Sequence, residues 1–356
     1  AGLPVVQLDS RNEWFRYHHL FQELLQTQLQ LELDGAALAA LHRRAATWLA
    51  EHEQIPAAGQ HALTADDLSL AAAILESVVR PEILCGGTQQ AQSWLSLFPN
   101  DALDQYPRLL LDLCLLGMIG LQADLAGLVT RADVALVPAR MADEERRQAQ
   151  DELSVYAIYA QFYRRNYERV RALVRESEPC LANAAPLTLG WFLFMQMHLA
   201  WYEGNPQHAV AKGNQAIEAF REAGFDQVAI SIRHNQAQIT ATSGHTRQAL
   251  AMYREITSTA QPNSSFAINE LVETHASAIS LHYWTDDIEG VMREQQSALA
   301  LAQRLADPML IRLLTSLGSL FAMAGATGGP SEEEDSWLLD TMGSVLPLNR
   351  LYLHQL

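Results

Sequence analysis

Lysine is almost missing from this chain. Lys212 is the only one, against 23 arginines among 24 basic residues. A phosphate-cradling P-loop needs GxxxxGK[ST], because its lysine must reach the terminal phosphates. Lys212 stands in Ala209-Val210-Ala211-Lys212-Gly213-Asn214, which lacks that pattern. P-loop nucleotide hydrolysis is thereby excluded from this chain, and so is a kinase lysine in its usual setting. Cysteine is scarce too. Cys85, Cys114 and Cys180 are odd in number and far apart. They form no disulfide framework and no CxxC metal pair, and suit reduced core thiols in a cytoplasmic protein. No apolar run reaches the roughly 20 residues of a membrane span. No basic stretch leads into an apolar core, as a signal peptide would require. The abrupt start at Ala1-Gly2-Leu3 is that expected of a piece of a longer protein. A GxSxG elbow and a dinucleotide glycine fingerprint are both missing, so no enzyme chemistry, cofactor or metal is expected.

Charge is lopsided. The net charge of −17 repels phosphate backbones, so this segment is not expected to bind nucleic acid. What the chain has in plenty is alanine and leucine, the residues that lose least on entering a helix. Those residues predict an all-α fold.

A period runs through the second half. Arg165-Asn166-Tyr167 is followed by Val170, Gly204-Asn205-Pro206 by Ala209, Gly244-His245-Thr246 by Ala249, and Thr285-Asp286-Asp287 by Gly290. A degenerate copy begins at Gly325. The turn starts lie 39, 40, 41 and 40 residues apart. Each has the form of a tight corner followed by a small residue that lets two helices approach, as in tetratricopeptide-like hairpins. The clearest unit has a first helix from Trp191 to Tyr202 and a second opened by Pro206, where the missing N–H does no harm. The predicted architecture is a right-handed superhelix of tetratricopeptide-like hairpins, about 40 residues each, over residues 146–326. Residues 34–145 are expected to hold irregular helical pairs: Ala36 to Glu51, Pro56 to Leu63, Leu68 to Val79, Thr88 to Phe98 and Pro107 to Gly120, punctuated by Pro81, Pro99 and Pro107. Residues 327–356 are expected to hold a flexible break and a capping helix. Acidic pairs such as Asp66-Asp67 and Asp286-Asp287 fall in turns, where capping accounts for them.

Near the N-terminus, Trp14-Phe15-Arg16-Tyr17-His18-His19-Leu20-Phe21 predicts a strand-like entry into an amphipathic helix that buries Leu20, Phe21, Leu24 and Leu25. His18, His19 and Glu23 match no HExxH metal spacing. This run resembles the signature of the MalT-type activators, the large ATP-dependent regulators of the LuxR class. Leu41-His42-Arg43-Arg44-Ala45-Ala46-Thr47-Trp48-Leu49, Gln60-His61-Ala62-Leu63-Thr64-Ala65-Asp66-Asp67, Trp94-Leu95-Ser96-Leu97-Phe98-Pro99 and Pro107-Arg108-Leu109-Leu110-Leu111 resemble later elements of that family. The resemblance by motif covers residues 12 to about 125. It implies that residues 1–33 end a winged-helix part and that the repeats form a sensor region. It further implies an ATPase upstream and a DNA-binding helix-turn-helix downstream, neither of which this chain contains.

Aligning the repeats by their corners gives columns on the first helices. One holds Val155, Phe194, His234, His275 and Thr315; a second Tyr159, His198, Gln238, Ile279 and Ser319; a third Phe162, Trp201, Ala241, His282 and Ala322. A column of mostly small residues, Ile158, Met197, Ala237, Ala278 and Gly318, is expected to pack helix on helix. The aromatic and histidine members, Tyr159, Trp191, Phe194, His198, Trp201, Tyr202, His234, Gln238, His275 and His282, suit a small inducer such as a sugar or an aromatic metabolite on the concave face. The same stripe also suits the core of wide repeats, or a groove for a protein partner or self-association.

Overall fold

A computed structural model describes residues 5–7, 15–120, 124–137, 139, 141–308, 310–312 and 314–315. Trp14, the column members Gly318, Ser319 and Ala322, the break at Gly325 and the expected capping helix lie outside the described residues. The chain divides into two compact units. The first comprises Ala1–Val78 and Trp94–Leu103, and the second Val79–Ser93 and Asp104–Leu356.

The first unit opens with an antiparallel ribbon, β1 (Val5–Gln7) against β2 (Phe15–Tyr17), in the register Val5 to Tyr17. It leads into α1 (His19–Glu32). The entry is strand-like, as expected, but the buried face is not. Leu20, Leu24 and Leu25 are exposed, at 64%, 61% and 41%. A two-stranded ribbon and one helix are too little to enclose a core. Next come α2 (Gly35–Glu51), capped by Asp34 through the amide of Ala37, and α3 (Ile55–Thr64), with proline in its first turn. The two family-like stretches on these helices are fastened together. His42 and His61 meet Nδ1 to Nδ1 at 2.7 Å, and Arg43 reaches Asp67 at 2.8 Å. Asp67 also accepts from the amide of Leu70, the capping role expected of it.

Two boundaries differ from expectation. Helix α4 (Leu68–Leu84) continues through Pro81. Val79 and Ile83, both fully buried, flank the proline, and their packing outweighs the missing hydrogen bond. Helix α5 (Thr88–Leu95) stops short of Phe98, because the chain tightens ahead of Pro99. There the amides of Leu97 and Phe98 bond to the carbonyls of Trp94 and Leu95.

In the second unit α6 (Pro107–Gly120) and α7 (Leu125–Leu136) pack on one another. Four hairpins follow: α8 (Asp143–Tyr163) with α9 (Tyr167–Leu181), α10 (Pro186–Tyr202) with α11 (Pro206–Glu222), α12 (Val228–Thr242) with α13 (Thr246–Thr259), and α14 (Ser265–Trp284) with α15 (Ile288–Leu305). The corners sit where the repeats placed them. A left-handed residue stands in each, Arg165, Gly204, Gly244 and Asp286, with φ of 59°, 76°, 85° and 57°. The next residue caps the second helix in three of them, as Asn166, Asn205 and Asp287 accept from the amides of Arg169, His208 and Gly290.

The fourth corner turns at Asp286, one residue after the start read from sequence. Five residues past each left-handed residue stand Val170, Ala209, Ala249 and Val291, all at most 1% exposed. The column seven before it then becomes Ile158, Met197, Ala237 and Ile279, again at most 1% exposed. The first helices are covered on several sides, and α10 buries twelve of its residues, Trp191 to His198 without a break. The second helices show one apolar face; α13 buries only Ala249, Tyr253 and Ile256.

The three cysteines part company. Cys114 is fully buried, and burial pushes its thiol up to about 12, but Cys85 and Cys180 are exposed rather than in the core. Cys180 falls in the last turn of α9, whose outer face meets solvent. Cys85 follows α4 in a loop whose backbone, not its side chain, is held. The Cys85 carbonyl accepts from Gln227 Nε2 at 2.8 Å, and the Gly86 carbonyl accepts from Ser265 Oγ at 3.1 Å. Among the described residues no helix is long and apolar enough to cross a membrane.

Candidate functional site

The residues singled out on the first helices fall into three groups. Tyr159, Trp191, Phe194, His198 and Trp201 form one cluster on α8 and α10. Tyr159 donates from its hydroxyl to the Trp191 carbonyl at 3.2 Å, and the two rings meet edge to face at 5.9 Å. The His198 ring lies 4.7 Å from Phe194 and 5.3 Å from Phe162. Desolvation there drives the imidazole down to about 3, so it is neutral. Trp201 Nε1 donates to Thr242 Oγ1 at 3.2 Å. Trp191 also packs on Phe220 and Phe225, which have no exposed surface. All five cluster members are at most 7% exposed. Tyr202 differs: it is 46% exposed and stacks on Tyr167 at 4.2 Å.

His234 and Gln238 form the second group, on the seam between α12 and α14. His234 Nδ1 lies 3.2 Å from Thr274 Oγ1, and Gln238 Nε2 donates to Ser277 Oγ at 3.2 Å. His275 and His282 form the third group and turn to α15. His275 Nδ1 is 2.6 Å from Glu294 Oε2, and His282 Nδ1 is 2.8 Å from Asp287 Oδ2. The one-residue shift of the fourth corner moves both histidines out of the columns that hold Phe194 and Trp201. The structure thus gathers five of the ten residues into one cluster, sets two on the next seam, and leaves Tyr202, His275 and His282 apart.

A polar cluster missed in the sequence lies on that α12–α14 seam. Glu270, 8% exposed, and the partly buried Glu273 sit one turn apart on α14. The Ser231 hydroxyl donates to Glu270, yet burial still pushes that carboxyl up to about 7. Glu273 is raised too, first by burial and then by the charge of Glu270. Both acids act electrostatically on Tyr163, whose phenol is raised mainly by burial and which donates to the Met118 carbonyl at 2.6 Å. One signal was available in the sequence: these are the only two acids of α14, in a helix with no lysine or arginine to pair with them.

Elsewhere, buried acids come with a cation. Arg80 binds Asp112 and, at 2.9 Å, Glu152. Burial still pushes the Asp112 carboxyl up, and Arg80 pulls it part of the way back. A groove of about 490 Å³ also runs between α9, α10 and α11, with Leu189, Phe192 and Leu193 as its apolar floor and Glu178, Lys212 and Glu218 on its rim. Among the described residues no group of three His, Cys, Asp or Glu side chains gathers at a spacing that would hold a metal.

Residues 1–37 match the family model of the MalT winged helix domain. The serine/threonine-protein kinase PknK, from two strains of Mycobacterium tuberculosis and from Mycobacterium bovis, is 37% identical over 76 residues. That stretch is 21% of this chain and 7% of the kinase, so the chain matches only a small part of those relatives. Among the described residues the chain is thus almost wholly helical, and its first residues are similar to the winged helix domain of MalT.

Proposed function

We propose that this chain is the sensor and protein-interaction region of a cytoplasmic, ATP-dependent bacterial transcription activator of the MalT and LuxR type. It binds a small inducer on the inner wall of a right-handed, tetratricopeptide-like superhelix formed by α8, α10, α12 and α14. That binding is coupled to activation, and the chain carries out no chemistry itself. The observation that carries this reading is a MalT-like winged-helix segment at residues 1–37 ahead of helical hairpins about 40 residues long. The net charge of −17 supports it, because an acidic chain repels phosphate backbones.

A thermal-shift screen of sugars and aromatic metabolites tests it. A ligand that binds only the native state raises the melting temperature once its concentration passes the dissociation constant. A saturable shift is expected. Its failure with every metabolite, together with stoichiometric co-purification of a protein, would move the reading to a docking scaffold with no small ligand. The kinase similarity favours a further variant, in which such a region regulates a catalytic domain located elsewhere in a longer chain.

A further inference from the structure

We propose that the seam of α12 and α14 is the binding point for the protonated amine of a small ligand, held by Glu270, Glu273 and Asn235. This rests on the reading of the first helices as a sensor surface and specifies the chemistry of its ligand.

The seam has a consistent geometry. Ser231 meets Glu270, His234 meets Thr274 and Gln238 meets Ser277. Asn235 lies one turn after Ser231 and one turn before Gln238, so helical spacing sets it on the same face of α12. It is 2% exposed. Its amide nitrogen donates to the carbonyl of Ser231 at 2.7 Å, the residue whose hydroxyl meets Glu270. Its Oδ1 is buried and accepts no hydrogen bond. A buried acceptor without a donor keeps the full cost of its desolvation, so an orphan oxygen marks a missing partner.

The carboxylates beside it have the same need. Among the described residues no basic side chain pairs with Glu270 or Glu273. Asp112, Glu152, Glu294 and Asp287 all have an arginine or histidine. The seam therefore sets two carboxylates with no basic side chain to pair with them beside an amide oxygen with no donor. An alkylammonium supplies one charge and three N–H donors. A neutral sugar supplies hydroxyls but leaves the two carboxylates uncompensated.

The test uses the chain as it stands, with primary amines in matched pairs: glucosamine against glucose, and putrescine against 1,4-butanediol, at constant ionic strength set with potassium chloride. The expected result is a saturable rise in melting temperature with at least one amine and none with its uncharged partner. Glu270→Gln and Glu273→Gln should each weaken the response at least about tenfold, the worth of a charged hydrogen bond. Neither change adds bulk, and both variants should fold, since each removes a buried charge. No response to any amine overturns the inference, as does an unchanged response in both variants. An equal effect of potassium ions alone assigns the seam to an inorganic cation and also overturns it. Stabilisation by glucose without glucosamine sinks the amine inference while leaving the sensor reading intact.

Discussion

Replacing Glu270 by glutamine should stabilise the protein, and only in neutral and alkaline solution. Burial lifts this carboxyl from an ordinary 4.5 to about 7. A group whose pKa is raised on folding costs nothing while protonated in both states, below pH 4.5. The cost begins as the unfolded chain ionises and reaches its full size above pH 7. Each pKa unit is worth about 1.4 kcal/mol, so the full cost is about 3 kcal/mol. Glutamine keeps the shape and still accepts from Ser231, but never ionises. Urea unfolding at pH 8 should therefore give Glu270→Gln a gain of about 3 kcal/mol over the parent chain. Near pH 4.5 the gain should shrink towards zero. Relief of Glu273, which is raised partly by the charge of Glu270, should act in the same direction. An equal gain at both pH values would point to packing rather than charge. A loss at pH 8 would mean that the ionised carboxylate is needed, and the reasoning would fail.

Three other perturbations have definite expected outcomes. His198 is held neutral, so its contribution is present above pH 6.5 and is lost as pH falls towards about 3; His198→Phe should remove up to about 4–5 kcal/mol of acid sensitivity over that window, measured as the pH dependence of the urea midpoint. Arg80→Met strands the buried Asp112 and should cost about 3–5 kcal/mol, with Asp112→Asn in the same chain recovering part of it in a double-mutant cycle. Gly86 has φ of 83°, and a side chain there would meet Ser264 Cβ at 2.8 Å. Gly86→Ala should therefore cost about 2 kcal/mol or more and speed hydrogen exchange at the amide of Phe266, which bonds to the Gly86 carbonyl.

The corners of the hairpins were readable because each demands particular local chemistry: a left-handed residue, then, in three of the four, a side-chain cap. Gly204-Asn205 and Gly244-His245 announce the first of these in their side chains. Thr285-Asp286-Asp287 does so ambiguously, because two adjacent aspartates can each turn or cap. There tertiary packing chose Asp286 for the turn, which puts Val291 in the buried register, while Gly290 still provides the close approach, since a Cβ there would run into the His282 ring. That single-residue slip is enough to send His275 and His282 to α15 while His234 stays against α14, since on a helix one position is about a quarter turn. The first helices were harder still. Where a helix is covered all round, as α10 is, hydrophobic periodicity fades and no longer says which face meets which neighbour. The acids of α14 show the opposite limit. In a sequence, Glu270 and Glu273 look like the solvent face of an ordinary helix. Their meaning depends on the partner they lack, which appears only once α12 is laid beside them. A cation-poor seam between two buried helices is stable only if something offsets its charge, whether a proton at low pH or a ligand at neutral pH. The pH profile of Glu270→Gln and the amine titration thus probe one electrostatic deficit from two sides. If an amine fills the seam, its presence should shrink the gain from Glu270→Gln at pH 8, because parent and variant then differ by a paired charge rather than a bare one.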